Sequence, residues 1–244
     1  MGIRNVLLVG SVGAGKTTIS RILPRLLERI GYKSHSTDLC IFHGLSYLTL
    51  AFVSETLIHI LGYRYVSKRY LTLWFNNRNL FLKLYKLLFL LDVFSIQPIA
   101  FFRIHLKKLI HSMFNRRYII IVDEHYLTGL AIHLYFSKYT GLLKLHSVYY
   151  AIVLSQIRKM AKNGLLIVLL KTPLINSVFS WLKREKIKVV DIDMIRFREV
   201  FTNLFIEKIA KSTPSIKVLR ITITNPSNTL DNVPLILRAI RGAT

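Results

Sequence analysis

The chain has a single cysteine, Cys40, and only 12 Asp and Glu among its 244 residues. A lone cysteine excludes an internal disulfide framework and fits a reducing compartment, so the cytoplasm is the expected location. No Gly/Ser/Pro-rich linker or low-complexity tract divides the sequence, and no internal repeat is visible. One α/β domain over residues 1–244 is therefore the expectation, with a sizeable core. A signal-peptide pattern is lacking, because Met1 leads almost directly into an apolar strand. Position 6 is Val where N-myristoylation expects Ser or Thr, which argues against lipidation at Gly2.

Against those 12 acids stand 35 Lys and Arg, a formal charge of +23, in a chain that is 52% apolar with a mean hydropathy of +0.41. A basic surface implies anionic partners: nucleotides, nucleic acid or an anionic membrane face. The apolar content implies a large buried fraction or an apolar patch facing a membrane or partner. Scarcity also makes each carboxylate informative, since few serve merely to solvate the surface.

What the sequence does contain is Gly10-Ser11-Val12-Gly13-Ala14-Gly15-Lys16-Thr17, which fits the P-loop pattern G-x-x-x-x-G-K-[ST]. Val6-Leu7-Leu8-Val9 before it reads as a buried parallel strand, and the residues from Thr18 to Leu27 carry helical apolar spacing. The glycines let backbone N–H groups turn inward toward a phosphate. The helix start adds partial positive charge, Lys16 a full one, and Thr17 a hydroxyl for Mg²⁺. Gly10 through Thr18 are thus the expected triphosphate-binding residues.

The rest of the chain alternates strands and helices. A helix ending at Gly31 is followed by a weak strand, Lys33 to Thr37, leading to Asp38. Tyr118 to Val122 is an apolar β-forming run that indicates a central strand, and Leu165 to Leu170 another. Helices are expected around Tyr126–Phe136, Lys144–Lys162, Pro173–Lys186 and Asp193–Lys211. In the last of these Ile195, Val200, Leu204, Phe205 and Ile209 roughly share a face. Lys217 to Ile223 reads as the last strand, Thr224 to Asn228 as a loop, and Asp231 or Asn232 as the cap of a closing helix to Arg241. This order predicts a parallel five-stranded sheet flanked by helices, with the P-loop and Asp123 on one edge.

Asp123 follows the clearest strand, where a Walker-B acid sits, and is the expected second Mg²⁺ ligand beside Thr17. Glu124 next to it could serve as a base toward a hydroxyl, a phosphate or water, and His125 could assist. Lys183-Arg184-Glu185-Lys186 closes a helix after the fourth strand, where Arg184 and its neighbours can act as a cationic lid or simply favour a helix C-terminus.

Residues 39–117 form a long, mostly helical insertion between strands two and three. Leu39 to Gly62 is apolar and reads as a core helix pair broken near Gly44, or as a short membrane span carrying Glu55. From residue 64 onward, basic residues including Arg64, Lys83 and Lys86 interleave with Tyr70, Trp74, Phe75, Phe81 and Tyr85. That pattern fits an amphipathic helix with aromatics in the core, an interfacial membrane helix, or a nucleic-acid surface.

Taken in order, these segments resemble the thymidylate kinase family of P-loop nucleotide kinases. The P-loop comes first. Leu87 to Asp92 resembles the family's apolar helix ending in Ala-Asp-Arg, and Tyr118 to Asp123 its Asp-Arg-Tyr strand end. Leu169 to Pro173 resembles the strand-four exit with the lid beyond, and Ile221 to Asn228 the adenine-side loop. The resemblance implies ATP and Mg²⁺, a small phosphate acceptor such as a nucleoside monophosphate, and a homodimer as one assembly. It implies catalytic roles for Lys16, Asp123, Glu124 and Arg184. Val93 and Glu124 replace the family arginines that hold the acceptor phosphate, and Arg103 or Arg78 are candidate substitutes. Two alternatives accompany the kinase reading. One is a P-loop ATPase using Asp123-Glu124 as a Walker-B pair; the other is a non-catalytic NTP-binding module docked on membrane or nucleic acid through residues 64–117.

Overall fold

The computed structural model describes residues 2–39, 45–61, 74, 78–106, 109, 118–185 and 190–242. The core is a five-stranded parallel sheet in the order β2-β3-β1-β4-β5, formed by β1 (Asn5–Gly10), β2 (Lys33–Asp38), β3 (Tyr118–Asp123), β4 (Leu165–Lys171) and β5 (Ile216–Thr222). The three central strands are apolar throughout because both their faces are covered. β2, with the sequence KSHSTD, lies at one edge, which its polar residues suit.

Alternation along the strands divides the core in two. Val6, Leu8, Ile119, Ile121, Val168 and Leu170 pack beneath α1 (Lys16–Arg29) and α8 (Val233–Arg241). Leu7, Val9, Ile120, Val122, Ile167 and Leu169 face α4 (Tyr126–Thr140), α5 (Leu143–Ala161) and α7 (Ile192–Ser212). All strands run the same way, so Gly10, Asp38, Asp123 and Lys171 end on one edge of the sheet. α6 (Leu174–Glu185) begins just past β4 on that edge.

Between β2 and β3 stand α2 (Leu45–Leu61) and α3 (Arg78–Ala100), the latter continued by a π-helical turn, Phe101–Leu106. Pro98 removes a backbone donor just before that turn, a common setting for π geometry. Trp74, Phe81 and Tyr85 are buried and pack against Phe136, while Lys83 and Lys86 are exposed. The aromatic–basic interleaving is here an amphipathic helix with its rings inward. Arg64, Tyr70 and Phe75 fall outside the described residues, as does the expected break at Gly44. Among the described residues one helix, Arg78–Ile104, is long and apolar enough to cross a membrane, rather than the Leu39–Gly62 stretch.

A buried polar chain ties this insertion together. Ser46 Oγ donates to Asp92 Oδ1 at 3.3 Å, His133 Nε2 lies 3.2 Å from Asp92 Oδ2, and Tyr85 Oη lies 2.9 Å from His133 Nδ1. Asp92, compared in sequence to the Ala-Asp-Arg acid, thus serves to join α2, α3 and α4.

Three local expectations change. Val200 and Leu204 are exposed on α7, and the buried stripe is Met194, Ile195, Arg198, Thr202 and Phe205. The loop after Thr224 tightens into a 3₁₀ segment, Pro226–Asn232. Asn232 occupies the N-cap of α8 with no side-chain capping bond; Pro234 in the first turn dispenses with one orphan N–H instead.

Candidate active site

The P-loop connects β1 to α1 with positive φ at Gly13 (+80°) and Gly15 (+73°). A Cβ at Gly13 would lie 2.0 Å from Ser180 Oγ of α6, and one at Gly15 2.2 Å from Thr229 Cγ2 of the 3₁₀ segment. Both positions need glycine twice over, for backbone shape and for close approach. Ser11 Oγ accepts from the Thr172 N–H at 3.3 Å, so the loop is also tied to the exit of β4.

Lys16 opens α1 and is buried. Its Nζ donates to the carbonyls of Ser11 at 2.8 Å and Gly10 at 3.2 Å, which holds the ammonium inside the loop. The same Nζ lies 3.6 Å from Glu124 Oε1. Thr17 and Thr18 are exposed at the helix start.

Asp123 ends β3, in register with Leu8 of β1 and Asp38 of β2. Its Oδ2 accepts from Ser20 Oγ at 3.1 Å, and its carboxylate is also hydrogen-bonded to the Thr17 side chain. Oδ1 is buried with no hydrogen-bond partner. Burial pushes this carboxyl above its ordinary range; the Thr17 bond opposes that shift, the neighbouring Glu124 charge adds to it, and Lys16 opposes it. A desolvated carboxylate with one open oxygen, beside a threonine hydroxyl at a helix start, fits a hard divalent cation such as Mg²⁺. Among the described residues no group of three or more His, Cys, Asp and Glu gathers around a common point. That suits Mg²⁺, which takes one or two protein ligands together with phosphate oxygens.

Glu124 is the one non-glycine among the described residues with positive φ, +62°. Its N–H donates to the Leu8 carbonyl at 3.2 Å and its carbonyl accepts from the Leu39 N–H at 3.1 Å. Those bonds hold a backbone conformation that costs about 1–3 kcal/mol for a residue with a Cβ. The carboxylate then stands between two cations, Lys16 and, at 3.5 Å, the guanidinium of Arg198.

Arg198 was not singled out in the sequence. It lies on α7, 6% exposed, with Nε buried and unpartnered. The available signal was an arginine at i+3 from Ile195 and i−4 from Thr202, on the stripe that the helix buries. A guanidinium there requires an anionic partner.

The other expected residues divide. His125 is fully buried and caps α4, its Nδ1 accepting from the Leu127 N–H at 3.1 Å; burial pushes its pKa down to about 3. That makes it a neutral structural cap rather than an assistant to Glu124. Lys183 is exposed near the end of α6, while the side chain of Arg184 lies outside the described residues. Arg103, on the π turn, donates to both the carbonyl and Oδ1 of Asp38 at 2.8 Å, which brings it to the functional edge of the sheet. Arg78 instead sits over the Trp74 and Tyr139 rings at 4.5 and 4.3 Å, engaged in cation–π contact.

No family model and no curated protein matches the chain in sequence. In structure it is similar to a thymidylate kinase from Candida albicans, described as having broad substrate specificity and a novel structural element. The TM-score is 0.52 at 13% identity, over 100% of this chain and 94% of that one. The likeness extends to the parallel sheet and to the helical region between β2 and β3, so the chain has a P-loop kinase-like fold of the thymidylate kinase type.

Proposed function

We propose that the protein is an ATP-dependent phosphotransferase that moves the γ-phosphoryl group of ATP to a nucleoside monophosphate or a related small acceptor. The observation that carries this reading is the open, buried Oδ1 of Asp123 beside Thr17 and the enclosed ammonium of Lys16. Lys16 would bind phosphate oxygens in place of the two carbonyls it now meets. Thr17 and Asp123 would hold Mg²⁺, which when bound offsets charge on the phosphates. Arg198 supplies a second cation within reach of Glu124, and Glu124 is set to accept a proton from a hydroxyl or phosphate acceptor. The substitution of the family arginines by Val93 and Glu124 leaves Arg103 as the cation best located to receive an anionic acceptor.

The test is release of ADP from Mg-ATP against a panel of nucleosides and nucleoside monophosphates, with a no-acceptor control. Acceptor-dependent release that vanishes in Lys16→Ala, with the fold intact by circular dichroism, supports the kinase. An active, folded Lys16→Ala protein sinks it. Release that needs no acceptor and disappears in Glu124→Gln favours the ATPase alternative, which the proximity of Glu124 to Lys16 makes specific.

We propose secondly that the cytoplasmic protein associates peripherally with anionic membranes. Phe52, Phe94 and Phe102 are 73%, 72% and 60% exposed on α2, α3 and the π turn. Exposed Lys83 and Lys86 lie on the same helix as Phe94, in a chain of net charge +23. Apolar side chains beside cations match an anionic lipid surface.

A further inference from the structure

A cavity of about 320 Å³ lies between the exit of β4 and α7, and opens beside Gly10 and Ser11. Leu174 and Val200 provide apolar wall, and Thr172, Arg198, Glu199 and Thr202 the polar part. Each of those four polar residues has an atom buried without a hydrogen-bond partner: Thr172 Oγ1, Arg198 Nε, Glu199 Oε1 and Thr202 Oγ1. A single unpartnered buried group costs about 1–3 kcal/mol and is uncommon. Four lining one cavity describe a polar site that awaits a ligand, since each is satisfied only by something placed between them.

The set restricts the chemistry. Arg198 Nε–H only donates, an ionised Glu199 only accepts, and the two hydroxyls do either. Inorganic phosphate or a simple carboxylate would suit Arg198 but would meet the Glu199 carboxylate as a like charge. A hydrocarbon would satisfy none of them. A flat heterocycle with donors and acceptors along its edge satisfies all four, and its faces can rest on Leu174 and Val200. The volume is at the lower end of the range for small-ligand sites, about 300–1,000 Å³. It suits a nucleoside better than a second triphosphate.

We propose that this cavity binds a nucleoside through its base, separately from the triphosphate and on the β4 side of the P-loop. Its further use as the acceptor's seat rests on the kinase reading above; the binding does not, and is measured without turnover.

The experiment is equilibrium dialysis of the full chain with labelled adenosine, guanosine, cytidine, thymidine and uridine, each with and without a non-hydrolysable Mg-ATP analogue. At least one nucleoside should bind once per chain and remain bound when the analogue is added. Glu199→Leu and Thr202→Val should each weaken that binding about tenfold or more. Melting curves select folded variants, and analogue binding in both should equal that of the unaltered chain. Absence of binding by all five nucleosides, equal binding in both variants, or displacement by the analogue would overturn the proposal. Absence of acceptor-dependent ADP release would sink the kinase reading and leave the dialysis result standing.

Discussion

Glu124 Oε1 lies 3.5 Å from the buried guanidinium of Arg198, which joins the exit of β3 to a helix that begins far later in the chain. Because Glu124 also lies 3.6 Å from Lys16, the P-loop ammonium and the α7 guanidinium share one carboxylate. Arg198→Ala should therefore lower kcat for ADP release by about 10²-fold, the scale of losing one preorganised charge-stabilising donor. Arg198→Lys should recover part of that loss, because it restores charge without the planar fork. Equal rates in Arg198→Ala and the unaltered chain would remove Arg198 from the site.

Asp123 is held ionised in a place where burial favours the neutral form. Asp123→Asn should raise Tm at pH 7, by about 2–4 °C if the relief is near 1 kcal/mol, while abolishing Mg²⁺-dependent triphosphate binding. Thermal melts and binding titrations with and without Mg²⁺ read the two effects separately. A lowered Tm would show that its bonds to Thr17 and Ser20 outweigh desolvation.

His125 and His146 are buried, with pKa values pushed down from 6.5 to about 3 and about 4; burial is the largest cause for each, and the nearby His133 adds to the shift of His146. Below 6.5 the unfolded chain binds protons that the folded chain does not. Stability from these sites is thus present above 6.5 and lost as pH falls toward 4, by up to about 1.4 kcal/mol per pH unit for each site. Urea unfolding at pH 7.5, 6 and 5 should show the decline. His146→Phe, which suits a ring packed 4.7 Å from Phe89, should make it shallower. An unchanged slope would mean that His146 titrates normally.

The exposed phenylalanines give a membrane prediction with a salt signature. The chain should co-float with phosphatidylserine vesicles and not with phosphatidylcholine vesicles, and 0.5 M salt should reduce the bound fraction. Phe94→Ser and Phe102→Ser should reduce it at low salt while leaving ATP turnover unchanged. Equal flotation on both vesicle types would remove the charge argument.

Much of the fold is legible locally. Tyr118 to Val122 and Leu165 to Leu170 are strands in sequence because apolar runs with β-branched residues need two covered faces, and both are central in the sheet. β2 is harder to read because an edge strand owes its pairing to β3 more than to Ser34, His35 and Ser36 themselves. Helical periodicity misassigned Val200 and Leu204, because which stripe of α7 is buried depends on where α4 packs against it. His125 illustrates the same limit, since nothing beside it in sequence shows that its ring caps a helix in a dry interior.

By itself the sequence determined the P-loop, its strand and helix, and the acid at the end of β3, because each is specified by a few consecutive residues whose shape and charge act at short range. The tertiary structure alone decided that Asp123 keeps an open oxygen, that Glu124 takes a left-handed backbone between Lys16 and Arg198, and that Arg198, Glu199 and Thr202 face a cavity. Those features arise where β3, β4 and α7 meet. Burial and hydrogen bonding there are properties of the packed assembly of distant segments, which no local pattern encodes.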